Sequence, residues 1–414
     1  MTTTSTRGPT GPTAANPPRS GLSLHTRIDL CRGLFAALVV LCHAFTTAWA
    51  MDRGAADSIS PSAYAWLLHS AGAGFYWVMG FFVLSGYCIH LSVDRQISGN
   101  RFTLGRYLAA RFTRILPLYY LALAFAIAVE ATVSTLQAGA SDALDDRTML
   151  LGQLFVVHNL IRCYPGFVAS WSITNEVIYY VLYGLLASIA AGRRERPIKL
   201  GLALCLAVGV INQTIYTLGW KTPFVLRSGL LFGLGTIWFL GATVAVYQER
   251  LGRMPIALNL ARAWPLVLAA GVVGWHQGMP IQGAYVVSGL AFTLMMIRMT
   301  AAPGSTDPVS EARWAVASGR FLGLASYPTY LFHAPLLVLL STMMTRTGWD
   351  GDWRYNWLVL TVASLAVGAA LGWWVERPLM HWRAGFLARV RSEKAEGRGS
   401  FGLPWRQPRG EIGR

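Results

Sequence analysis

The 414-residue chain is poor in charge. Asp, Glu, Lys and Arg together make up 13% of it against 54% hydrophobic residues, and acidic residues number only 19. A soluble domain carries about 25% charged residues, so this scarcity argues against a water-exposed globule. Heptads, Gln/Asn tracts and sequence repeats of roughly 20–50 residues are also missing, which removes coiled coils and solenoids. The five cysteines, Cys31, Cys42, Cys88, Cys163 and Cys205, have no metal-ligand spacing and fall mostly in apolar runs. They read as small apolar residues, and neither a disulfide framework nor a metal site is expected. The N-terminal MTTTSTRGPTGPTAANPPRSG has no signal-peptide core or cleavage site, so the first apolar run is expected to act as an uncleaved anchor.

What the chain does have is apolar runs of about 20 residues, each long enough to cross ~30 Å of hydrocarbon. Ten spans are expected, at 29–49, 70–92, 115–133, 171–191, 199–218, 228–248, 264–278, 281–298, 321–343 and 355–375. The fold class is therefore an all-α integral membrane protein, a bundle of about ten transmembrane helices with both termini cytoplasmic. The net charge of +16 supports that orientation: 28 of the 35 Lys and Arg fall on the cytoplasmic side of the spans. Only Arg53, Arg147, Arg162, Lys221, Arg227, Arg346 and Arg354 lie outside. The basicity is topological, and nucleic acid is not expected as a partner. Residues 1–27 read as a disordered cytoplasmic arm and 28–378 as the membrane domain. Residues 379–414 read as a basic, disordered cytoplasmic tail attracted to anionic lipid headgroups.

Ionisable residues inside spans are costly, so each one needs a partner, a cavity or a task. In CRGLFAALVVLCHAF (31–45), Arg32 and His43 are eleven residues apart. At ~100° per residue they share one helix face, separated by a rise of ~16 Å. Arg32 reads as a snorkelling anchor or an anion ligand, and His43 as a structural or a catalytic imidazole. In SWSITNEVIYYVLYG (170–184), Glu176 stands four residues after Ser172 and is flanked by Asn175 and Tyr179. It is expected at a depth comparable to His43, as a helix tie or as part of a site. Arg111 and Arg114 share a face just before Pro117, with Arg95, Arg101 and Arg106 upstream. They read as a topology signal or as planar, forked donors for phosphates. His333 lies between Pro328 and Pro335, where bent helices line cavities or pack on protein. Glu376 and Arg377 read as a membrane boundary, and Ser85-Gly86 as a close helix contact.

These residues alone leave two classes open. One is an enzyme using an anionic cytoplasmic donor on an extracytoplasmic acceptor. The other is a transporter with proton-coupled His and Glu, although no matched inverted halves are evident. The ordered set FFVLSG (81–86), RFTRILP (111–117), SWSITNE (170–176), ASYPTYLFHAP (325–335) and VERP (375–378), following Arg32 and His43, resembles the acyltransferase-3 type of integral membrane acyltransferases. Members include O-acetylases of bacterial O-antigens, exopolysaccharides and peptidoglycan, and macrolide acylases. The resemblance runs from about residue 27 to 380, and Val177 departs from the tryptophan that follows the glutamate in many relatives.

The resemblance implies a cytoplasmic acyl-CoA donor, usually acetyl-CoA, with no permanently bound cofactor. It implies a hydroxyl-bearing acceptor, a glycan or alternatively a small metabolite such as a macrolide, and a location in the bacterial cytoplasmic membrane. By the same resemblance Arg32, Arg111 and Arg114 are expected to hold the CoA phosphates. His43 is expected to act as general base or to carry the acyl group, with Glu176 orienting it or binding the acceptor. Ser172, Asn175, Tyr179 and His333 are further expected contacts to the acceptor or the oxyanion.

Overall fold

A computed structural model describes residues 21–52, 54–137, 146–190, 193–301, 311–349 and 351–397. Most of the expected arm and part of the tail lie outside these residues. In chain order the helices are α1 (Leu24–Met51), the single turn α2 (Ala55–Ser58), α3 (Pro61–Ser70), α4 (Phe75–Ser98) and α5 (Leu104–Gln137). They continue with α6 (Arg147–Leu154), a short 3₁₀ segment Pro165–Ser170, α7 (Trp171–Ile189), α8 (Arg196–Thr217) and α9 (Pro223–Arg253). Then come α10 (Pro255–Arg262), α11 (Trp264–His276), α12 (Ile281–Thr300), α13 (Arg313–Arg346) and α14 (Trp353–Leu371). A π-helical turn, Gly372–Glu376, leads into α15 (Arg377–Gly397).

No strand occurs among the described residues, and the chain is an all-α membrane protein. Helices are what a chain in hydrocarbon must form, because no solvent there satisfies open backbone groups. Among the described residues, eight helical stretches are long and apolar enough to cross a membrane, and a ninth counts if α10 and α11, bent by 48°, form one span. Nine of the ten expected runs fall in these stretches, the bent pair included, and the tenth, 171–191, forms the 19-residue helix α7. Ser172, Thr174, Asn175 and Glu176 lie in its first two turns, and the rest of it is mostly apolar. A correction concerns the termini. Helix α1 already begins at Leu24, capped by the Ser23 hydroxyl on the Thr26 amide, and 377–397 is helical rather than an irregular tail.

Apolar side chains face outward as well as inward. Ile189, Val210, Leu266 and Leu358 are each at least 60% exposed, which suits a surface bathed in lipid rather than water. The interior is aromatic, with Trp238, Tyr179, Tyr183 and Phe239 all close to fully buried. Here α4 crosses α9 at backbone contact. A Cβ on Gly86 would run into the Trp238 carbonyl oxygen, and one on Gly241 into the Val83 carbonyl oxygen. The expected close contact at Gly86 is thus present, and its counterpart is a glycine on the facing helix. The crossing brings the Trp238 indole Nε1 to 3.1 Å from the Ser85 hydroxyl, to which it donates.

Gly86→Ala and Gly241→Ala are each expected to push α4 and α9 apart and to destabilise the protein by about 1–3 kcal/mol. Thermal unfolding in detergent checks this. The same substitution at Gly105, where an added Cβ meets nothing within 4 Å, should leave the melting temperature nearly unchanged.

Candidate active site

Two neighbouring spaces run from the arginine-rich end of the bundle towards its middle. The first is a funnel of about 990 Å³ whose wall includes Arg32, Arg95, Arg101, Arg106, Arg111 and Arg383. Its throat is formed by Arg32, Cys88 and Arg111, which also line a narrower slot of about 180 Å³. The slot contains Arg114, Ser172 and Glu176 as well, and ends at Val78 and Tyr330. Val78 and Tyr330 lie about one turn nearer the arginine-rich end than Gly74 and His333, and these two flank His43.

The helix period explains which residues of α7 reach the slot. Ser172, Glu176 and Tyr180 recur every four residues and line it together. Glu176 Oε1 accepts from the Ser85 hydroxyl at 2.6 Å and from the Tyr180 hydroxyl. Ser85 in turn accepts from the Trp238 indole, so the carboxylate is held through a chain anchored in the core. Ser172 Oγ lies 2.7 Å from the Tyr330 hydroxyl, which donates to the Ala169 carbonyl at 2.9 Å.

Asn175 and Tyr179 share a different face of α7 and do not line the slot. Asn175 is fully buried and accepts from Asn159 Nδ2 at 2.7 Å, while Tyr179 donates to the Leu231 carbonyl at 2.5 Å. The expectation that these two meet acceptor or oxyanion is corrected: both tie the helix to its neighbours.

The three expected donor-binding arginines do line one space, with different surroundings. Arg32 lies 3.4 Å from Asp29 Oδ1, one turn before it on the same helix. Arg111 donates to the Ser92 hydroxyl at 3.2 Å and stands over the Tyr107 ring. Arg114 forms an ion pair with Glu376, whose side chain is fully buried, and stands over the Tyr327 ring. The boundary reading of Glu376 is therefore corrected. The π-helical turn that ends at Glu376 carries the carboxylate into the bundle instead of to its surface, as such turns do at functional sites. Sequence alone offered the VERP motif but no indication of which arginine it meets.

His43 is partly buried and lies outside the slot lining, and its partner is not Glu176. His43 Nδ1 is 2.9 Å from His333 Nε2, with the two rings stacked at 8°. His333 Nδ1 is 2.7 Å from the Tyr330 carbonyl oxygen, which can only accept. His333 therefore carries its proton on Nδ1 and accepts at Nε2 from His43 Nδ1–H. His43 Nε2 keeps its lone pair, and the nearby backbone is Gly74, where an added Cβ would sit 3.4 Å from that nitrogen.

The expected common depth of His43 and Glu176 is also corrected. Ser85, which holds Glu176, is eleven residues beyond Gly74, roughly 16 Å along the helix. Glu176 thus shares the level of the arginines, and the imidazole pair lies a helix segment further out.

A family model described as an acyltransferase domain matches residues 25–376. The chain belongs to the acyltransferase-3 family. No curated protein and no solved structure matches it. This acyltransferase is a multi-pass membrane enzyme with an acceptor substrate, and the transporter alternative gives way to group transfer. The matched region contains His43, His333, Glu176, Glu376 and the arginines of the slot, and it ends where α15 begins.

The Arg114–Glu376 pair yields a prediction. Glu376→Gln strands the Arg114 charge in a buried setting and should destabilise the enzyme by about 3–5 kcal/mol. Combining Arg114→Met with Glu376→Leu removes both charges and should recover much of that loss in thermal unfolding. A double variant as unstable as the single one would contradict the pairing.

Proposed function

We propose that this acyltransferase moves an acyl group, by default acetyl, from cytoplasmic acyl-CoA to a hydroxyl of a glycan at or beyond the outer side of a bacterial cytoplasmic membrane. The observation that carries this reading is the lone pair on His43 Nε2, oriented through His333 and set about one turn beyond a slot that opens from a basic cytoplasmic funnel. A donor with an anionic head and a long, thin arm suits a wide basic mouth joined to a narrow channel. The ~16 Å rise between Arg32 and His43 is a span that an extended pantetheine arm largely covers.

In the proposed reaction, His43 Nε2 removes the proton from the acceptor hydroxyl. The oxygen attacks the thioester carbonyl, the carbon–sulfur bond breaks, and His43 returns the proton to the departing thiolate. The products are an ester and free CoA. While protonated, His43 donates from Nδ1 to His333, and that charge-assisted bond stabilises the imidazolium. Arg32, Arg111 and Arg114 attract the donor. Arg114 is held by Glu376 and so serves more as a fixed positive wall than as a free phosphate clamp. Glu176, held by Ser85 and Tyr180, orders the slot beside the arm, and Ser172 and Tyr330 offer hydroxyls near its outer end.

The glycan acceptor follows from the resemblance to membrane O-acetylases, and the aromatic residues near His43 form a packed cluster around Phe45 and Trp353. Trp49 stacks on Tyr64 with ring centroids 4.2 Å apart, and the Trp357 indole, which packs there against Phe45, donates to the Leu41 carbonyl at 2.8 Å.

The test is release of CoA from acetyl-CoA by the purified, detergent-solubilised enzyme, read by mass spectrometry. Wild type should release CoA slowly to water and faster with a hydroxyl acceptor. His43→Ala should abolish release. His333→Ala should lower kcat by about a hundredfold or more, the size of a lost general-base contribution, and leave acetyl-CoA affinity unchanged. If wild type neither binds nor cleaves any of a panel of acyl-CoA thioesters, the donor assignment is wrong.

A further inference from the structure

Helix α15 begins at Arg377, one residue beyond the end of the family match, yet it forms part of the funnel. Arg383, Ala384 and Leu387 make one wall of it. Arg383 Nη2 donates to the Ala110 carbonyl of α5 at 2.9 Å, which docks α15 against the helix carrying Arg111 and Arg114. Its Nε is buried and has no hydrogen-bond partner. Across the funnel stand Arg32, Arg95, Arg101, Arg106 and Arg111, and no carboxylate is among the described lining residues.

A concave wall of one charge sign focuses potential and collects an ion of the opposite sign. Guanidinium forks favour phosphate in particular. Volume divides the ligand between the two spaces. About 990 Å³ suits a nucleotide-sized group, since ligand sites run about 300–1,000 Å³. The slot of about 180 Å³ admits only a thin chain.

We propose that Arg383, outside the matched acyltransferase domain, is a donor-binding residue that holds a phosphate of the 3′-phosphoadenosine diphosphate end of CoA. Helix α15 is then the part of the protein that distinguishes a nucleotide-bearing donor from a bare phosphopantetheine thioester. The inference rests on the acyl-CoA reading above. Its ligand chemistry, a phosphate ester at the cytoplasmic surface, is shared with an anionic lipid headgroup.

The experiment is calorimetric titration of CoA and of 4′-phosphopantetheine into the full chain in neutral-lipid nanodiscs. Arg383→Gln should weaken CoA binding about tenfold to a hundredfold, the size of one charge-assisted contact, and leave phosphopantetheine binding unchanged. Arg383→Lys, which keeps the charge and loses the fork, should restore part of the CoA affinity. Equal losses for both ligands would mean that the substitution merely loosens α15, and would overturn the assignment. Unchanged CoA affinity, with loss of co-purifying anionic lipid from Arg383→Gln by native mass spectrometry, would give Arg383 to a headgroup and also overturn it. Either result leaves the acyl-CoA reading standing, because wild type still binds CoA. Failure of wild type to bind CoA overturns both.

Discussion

Hydrocarbon offers no hydrogen bonds, and the organisation of this bundle follows from that constraint. Each polar side chain placed inside needs a partner, and the partners drawn from other helices fix how the helices assemble. Glu376 meets Arg114, linking the turn before α15 to α5. Glu176 meets Ser85, which meets Trp238, linking α7, α4 and α9. His43 meets His333, linking α1 to α13. The same links set the chemistry: positive charge accumulates at one end of the bundle, and one imidazole nitrogen is left unengaged about a helix segment away.

The His43–His333 contact has a consequence that burial alone would not produce. A carbonyl cannot donate, so the Tyr330 backbone settles the proton positions of both rings. A lone buried histidine can hold either tautomer. This pair holds one in the neutral state, and it is the one a base at Nε2 requires. Pro335, two residues beyond His333, removes a backbone donor from the same stretch of α13 without ending the helix.

Much of this architecture was legible in the sequence because hydropathy and charge are one-dimensional signals. The long apolar runs located the helices, and the eleven-residue spacing put Arg32 and His43 on one face. Helix α7 lies within an expected apolar run, and its first two turns gather polar residues, among them Ser172 and Glu176. The same period of four that joins Ser172 to Glu176 points on to Tyr180, whereas Asn175 and Tyr179 lie on another face. Lateral partners were beyond reach. Nothing in one chain tells that His43 faces His333 rather than Glu176, or that Glu376 turns inward to Arg114. The contribution of Arg383 was hidden for a related reason, since a basic terminal stretch looks the same whether it faces lipid or lines a funnel.

The central claim is that the donor enters from the cytoplasmic funnel and brings its thioester to His43 Nε2. The most direct measurement is an electron cryomicroscopy structure of the full chain with an acetyl-CoA analogue in which a methylene replaces the thioester sulfur. The account predicts the nucleotide among the funnel arginines, the pantetheine arm in the slot past Glu176, and the ketone within hydrogen-bonding reach of the His43 side of the slot. Nucleotide density on the opposite face of the bundle, or an arm that stays outside the slot, would contradict it.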